Sequence, residues 1–250
     1  MIYHLSFLGV NQNFSGVFLI LSLGLEKLHR ENLASRAYEG IKDALIKGRF
    51  RPGDKIGIRE VARQMGTSPT PVREALLQLV SSHALEMKPA HSVTVPVLTK
   101  HTYLEVRTLR IALEGLAVEQ AAARITRAEI KRLRNIHASL AQVKASGNYK
   151  ATLERNQAFH FELCKASEMP LLLALIEILW LQIGPSLNLI YPPSSPEPDK
   201  KHYHIQILEA LSARDAVSAR KAMENDLIYG GAQLLEYLQK EDGNRHVGSK

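Results

Sequence analysis

Residues 56–80, IGIREVARQMGTSPTPVREALLQLV, constrain the fold more than any other stretch of this chain. Ile58, Val61, Ala62 and Met65 recur at i, i+3, i+4 and i+7, and Val72, Ala75, Leu76, Leu79 and Val80 follow the same period, so the segment predicts two short amphipathic helices. Gly66 falls where the first helix must stop, because glycine accepts a left-handed turn. Ser68 suits the N-cap of the second helix and Pro69 its first position, where no backbone donor is lost. Burying one face leaves Thr70, Arg73, Glu74 and Gln78 on the other. An ordinary helical hairpin would show the same spacing.

The flanking segments narrow the choice. Residues 85–97, LEMKPAHSVTVPV, change to period two, with Val93, Val95 and Val97 alternating with polar or proline positions. Leu85–Met87 supplies a partner strand, and Lys88–Ser92 a basic tip. Upstream, Asn32–Lys47 carries apolar positions at Ala34, Ala37, Ile41, Ala44 and Leu45, and Arg51-Pro52-Gly53-Asp54 turns into Ile56. Three helices and a hairpin in this order make a winged helix-turn-helix, which presents its last helix to the major groove of DNA. Residues 26–96 hold 12 Lys/Arg against 8 Asp/Glu, and residues 97–250 hold 20 against 17, so the basic excess is denser where phosphates would be met.

The chain's 250 residues accommodate two domains of ordinary size. Residues 1–25 contain no Lys, Arg, Asp or Glu and are read as an extension outside the fold. They lack the basic start of a secretory signal, and Asn11-Gln12-Asn13 interrupts the apolar run too early for a membrane span. The single cysteine, Cys164, allows no internal disulfide and fits a reducing cytoplasm. The domain reading is therefore an extension at 1–25, a winged helix-turn-helix at 26–97, an all-α sensor and dimerisation domain at 98–240, and a flexible tail at 241–250.

The second half reads as helices over roughly 100–124, 126–146, 149–167, 169–189, 199–213 and 215–238. Thr126-Arg-Ala-Glu129 is a capping box. Leu171–Ile183 is apolar almost all round, as a central or interface helix would be.

Three of these helices carry polar groups on apolar stripes. Asn156 and His160 share a face with Leu153 and Leu163; His204 precedes Ile207, Leu208 and Leu211; Asp226 follows Ala219, Ala222 and Met223. His202, on the opposite side of the wheel, reads as solvated. A buried carboxylate is costly unless paired or bound to a cation, so Asn156, His160, His204 and Asp226 form either a metal-free polar cluster or a site for a first-row metal.

The motifs RPGDKI, SPTPVREALLQLV and ALEMKPAHSVTVPV resemble the N-terminal domain of the GntR superfamily of bacterial transcription regulators. Arg110-Ile-Ala-Leu-Glu114, Phe159-His160 and His204 through Met223 resemble its FadR-type branch with an FCD effector domain, the likeness covering about residues 30–238. The resemblance implies a homodimer on a palindromic double-stranded DNA operator, read by Arg59, Ser68, Thr70, Arg73 and His91. It also implies one divalent metal (Zn, Ni or Mn) per chain at Asn156, His160, His204 and Asp226, and a small carboxylate effector gripped by Arg110. Arg110 could equally pair with Glu114, four residues on. Asn156 and Asp226 depart from the family's aspartate and histidine, Pro69 replaces a basic residue, and Ser92 a wing glycine. A metal-dependent enzyme and a non-specific architectural DNA binder are the competing readings; neither involves a membrane.

Overall fold

The computed structural model describes residues 33–89, 92–190 and 202–247. The extension assigned to 1–25 and the wing-tip His91 lie outside these residues.

Leu33–Ile46 forms α1 and buries Ala37, Ile41 and Leu45. It packs on α3 (Pro69–Ser81), which follows the short α2 (Ile58–Gln64). Gly66 takes φ +64° between them. Ser68 has the extended backbone of an N-cap and Pro69 opens α3, but the Ser68 side chain makes no capping bond. Of the apolar stripe on α2, only Ala62 is buried, and Met65 is exposed.

The wing contains the expected hairpin, widened by a third strand into an antiparallel sheet. Its order is β1 (Lys55–Ile56), β3 (Ser92–Thr94), β2 (Glu86–Lys88), with Val93 opposite both Ile56 and Met87. Strand β1 has two residues, too few to show a period in sequence. The expected alternation stops with β3: Thr94 is buried beside Val93 and Val95, and Val97 is half exposed.

The remaining helices are α4 (Lys100–Arg124), α5 (Arg127–Ala145), α6 (Tyr149–Lys165), α7 (Pro170–Ile183), α8 (Tyr203–Ser212), α9 (Ala216–Gly230) and α10 (Ala232–Val247), with a 3₁₀ segment at Gly184–Ile190. The Thr126–Glu129 capping box is formed in both directions, at 2.8 and 3.2 Å. Two boundaries differ from the sequence reading. The predicted helix 215–238 breaks at Gly231, whose carbonyl accepts from the Tyr103 hydroxyl at 2.9 Å and where a Cβ would overlap that hydroxyl. Helix α10 then runs to Val247, so 241–247 is helix and not tail.

The two halves share one buried apolar cluster, in which Ala37, Ile41 and Leu45 of α1 meet Phe161, Leu172, Ile176 and Trp180. Lys42 Nζ reaches Glu177 Oε2 at 3.0 Å across this junction. The Asn188 amide donates to the carbonyls of Gly48 and Phe50, and a Cβ at Gly184 would overlap the Leu45 carbonyl. Close approach there requires glycine. Among the described residues Pro170–Leu189 is long and apolar enough to cross a membrane; its buried residues belong to the core. Helix α7 is apolar almost all round yet partly exposed, with Leu171, Leu175 and Ile178 outside.

Candidate functional site

Two regions carry chemistry. The first is the outer face of α2 and α3. Arg59, Ser68, Thr70 and Arg73 are all exposed, while Val72, Ala75, Leu76 and Leu79 anchor α3 from behind. Ser68 and Thr70 stand at the N-terminus of α3, where their hydroxyls and the helix dipole favour a phosphate, although Pro69 and Pro71 offer no backbone N–H. Arg73 lies one turn in and makes no ion pair with a described residue, so its guanidinium fork is available to a base edge.

The second region is inside the helical half. A cavity of about 120 Å³ is lined by Arg107 and Arg110 from α4, Asn156 and His160 from α6, Trp180 from α7, Asp226 from α9, and His202. The 3.6-residue period explains the convergence: each helix turns its apolar stripe inward, and these positions interrupt the stripes at one level. Arg110, Glu114, His160, His204 and Asp226 are all buried.

Their contacts form a line of alternating charge. Arg110 Nε donates to Glu114 Oε1 at 2.6 Å, His160 Nδ1 donates to Glu114 Oε2 at 2.7 Å, and His160 Nε2 lies 3.2 Å from Asp226 Oδ2. Trp180 Nε1 also donates to Glu114 Oε1, at 3.1 Å. Burial alone would favour neutral groups throughout. Instead Arg110 and His160 hold Glu114 down to about 2, and Glu114 and Asp226 raise His160 to about 9. Against the same burial, His204 and His160 keep Asp226 below the ordinary carboxylate range. Without a metal, His160 carries both protons and bridges two carboxylates.

His204 does not fit that account. It is fully buried and stacks on Phe159 at 3.8 Å, with its Nε2 3.6 Å from Asp226 Oδ1. Neither ring nitrogen has a hydrogen-bond partner among the described residues, and burial presses its pKa well below the histidine norm. Native cores rarely leave such groups unsatisfied. One ligand atom each from His160, His204 and Asp226 lies within 4.8 Å of the others, a borderline-soft donor set that fits a first-row divalent ion. The Glu114–His160 bond is the support usual behind a metal-bound imidazole.

All four residues expected to gather thus reach one place: three share the cluster, and Asn156 lines the cavity beside it. Arg110 makes the expected pair with Glu114 and also lines the cavity. Glu114, Trp180 and Arg107 were missed. Only the i, i+4 spacing to Arg110 signalled Glu114. His202 is not on the helical wheel at all: it precedes α8 and caps it, accepting from the His204 amide at 3.2 Å.

Known proteins divide the chain at the same place. Residues 33–95 match the family model for bacterial regulatory proteins of the gntR family, and residues 105–228 match the FCD domain. The HTH-type transcriptional regulator McbR of Escherichia coli K12 is 33% identical over 203 residues, 80% of this chain and 91% of McbR. The chain belongs to the GntR family of transcription regulators, with an FCD domain as its second half. The Uxu operon regulator of Haemophilus influenzae is 27% identical over 233 residues, covering 85% of this chain and 87% of that protein. The solved structure of E. coli McbR/YncC superposes with a TM-score of 0.77 at 31% identity over 83% of this chain and 99% of that one. A GntR-type protein of Rhodococcus sp. RHA1 shares the fold with a TM-score of 0.68 at 20% identity, over 81% and 97% of the two chains. The enzyme reading raised by the histidine cluster gives way to transcription regulation.

Proposed function

We propose that this GntR regulator acts in the cytoplasm as a homodimer on a palindromic operator, and that a small organic acid in the FCD cavity sets its affinity for DNA. The carrying observation is the partly open cavity around Arg110. Arg107 and Arg110 supply positive charge and donors there, and its volume suits a compact anion rather than a drug-sized ligand. His160, His204 and Asp226, with Asn156 beside them, would hold one divalent metal such as Zn, Ni or Mn. When bound, the metal supplies a positive centre that a carboxylate oxygen can approach.

Response at the DNA requires the cavity to be joined to the reading head. Trp180 lines the cavity, bonds Glu114 and belongs to the apolar cluster that includes α1. An anion that moves Arg110 therefore changes the packing under Trp180, and through it the seat of α1. Ligand binding then shifts the population of DNA-competent arrangements by its differential affinity for them.

The test is to select an operator from genomic fragments, then titrate it against random duplex with and without a panel of small carboxylates. Expected are a large operator preference and at least one acid that changes it while raising the melting temperature. Arg110→Gln should abolish that thermal shift. Equal affinity for random DNA would support an architectural binder, and a panel without effect on melting or DNA affinity would overturn the effector reading.

A further inference from the structure

The buried cluster uses at most one nitrogen of His204, and the other has histidine neighbours of its own. His137 on α5 and His202 at the head of α8 stand beside it, with ring centroids 5.4 and 4.5 Å from His204 and 5.2 Å from each other. One nitrogen from each of the three rings lies within 4.8 Å of the others. His137 Nδ1 is buried without a hydrogen-bond partner among the described residues, as are both nitrogens of His204. We propose that His137, His202 and His204 form a second transition-metal site, built of imidazoles alone, on the flank of the buried cluster.

Three observations carry this. The unsatisfied nitrogens are costly as packing but useful as ligands, and one ion could satisfy one on His137 and one on His204. The donors are set for small closure: tetrahedral bonds of about 2.0–2.1 Å place nitrogens roughly 3.4 Å apart, so the rings must draw together by about an ångström. His137 and His202 are half buried and can rotate, whereas Phe159 fixes the His204 plane. There is also an entry path, because His137 and His202 line a solvent-open groove with Lys144 and Ile205. Binding at His202 displaces the long bond from the His204 amide, a modest cost for one neutral hydrogen bond.

The ligand chemistry selects the ion. Three imidazoles suit Zn²⁺, Ni²⁺ or Cu²⁺ and offer nothing to Mg²⁺ or Ca²⁺, and Lys144 opposes any cation held by charge alone. A neutral imidazole offers one lone pair, so His204 serves one ion at a time, either in this trio or with His160 and Asp226. The trio does not require the buried cluster to hold metal.

The experiment titrates Zn²⁺ into tag-free, chelator-stripped full-length protein by calorimetry, with helix content checked by circular dichroism. Asp226→Asn removes the carboxylate of the buried cluster, and this variant should still take about one equivalent. Adding His137→Ala, on a half-exposed helical position, should weaken that binding at least ~10-fold, as loss of a ligand does at least as much as loss of its support. Adding His202→Asn, which retains a capping side chain, should weaken it similarly. Adding His160→Ala should leave it unchanged. The proposal is overturned if Asp226→Asn binds no zinc, if His137→Ala and His202→Asn have no effect, or if His160→Ala removes the binding instead.

Discussion

Trp180 and Glu114 meet inside the FCD half: the indole Nε1 donates to Glu114 Oε1 at 3.1 Å, while the indole ring carries the Arg110 guanidinium 4.2 Å from its centroid. One tryptophan thus holds both members of the Arg110–Glu114 pair, and its other edge packs in the cluster shared with α1.

Trp180→Phe separates these roles. The apolar packing largely survives, but Glu114 loses a donor and Arg110 a better cation–π partner. Loss of a hydrogen bond to a buried charge should lower stability by ~1–3 kcal/mol in chemical denaturation. The acid-dependent change in operator affinity should shrink more than the affinity itself. An unaltered response to the acid would remove Trp180 from the coupling.

The metal-free protein should show a pH dependence set by His160. Its folded pKa of about 9 lies above the unfolded histidine value of about 6.5. The stabilisation is therefore complete below about 6.5 and is lost as pH rises through 9, amounting to on the order of 3 kcal/mol. Glu114 acts oppositely: its folded value of about 2 gives stability present above the unfolded carboxylate range and lost as pH falls toward 2. His160→Gln should flatten the alkaline limb of the melting temperature in chelator-treated protein. Zinc affinity at the buried cluster should instead rise over that alkaline range, because the ion must displace a proton from His160 Nε2. An alkaline limb identical in wild type and His160→Gln would reject the assignment.

The legible parts of this protein are those encoded locally. The Thr126–Glu129 capping box, the Gly66 stop and the Pro69 start each need only a few neighbouring residues, and all appear where expected. His160, His204 and Asp226 were legible because each breaks an apolar period on its own helix. Glu114 was not, since a glutamate four residues after an arginine is the ordinary signature of a solvated helix face. Its burial depends on His160 and Trp180, 46 and 66 residues away. His202 was misread because the predicted helix began too early, placing on the wheel a residue that precedes the first turn. Strand β1 exists only through its pairing with β3.

At the DNA face, Arg73 is exposed one turn into α3 while the helix is anchored by buried Val72, Ala75 and Leu76. Arg73→Ala leaves that anchor intact and should keep the melting temperature. Discrimination of operator from random duplex should fall by ~1–3 kcal/mol if the fork reads a guanine. A uniform loss across sequences, with a shallower salt dependence, would instead assign Arg73 to a phosphate.

If the protein is the homodimer proposed above, helix α7 is the surface to test for the second copy. Leu171, Leu175 and Ile178 recur at i, i+4 and i+7 and are 83%, 51% and 39% exposed, an apolar stripe on a helix whose other face is core. Such a stripe is costly in water unless covered, and a two-fold axis through it would bring the same residues of two chains together. Leu175→Glu would then place two like charges near that axis and an uncompensated carboxylate against apolar neighbours. Because Leu175 lies outside the monomer's core, the fold and its melting profile at low concentration should survive. Light scattering at micromolar concentration should find wild type at twice the 27.9 kDa chain mass and the variant at the single-chain mass. Operator affinity should fall with dimerisation, since one recognition helix reads only a half-site. A wild type already at 27.9 kDa, or a Leu175→Glu variant still dimeric, would exclude α7 as the interface.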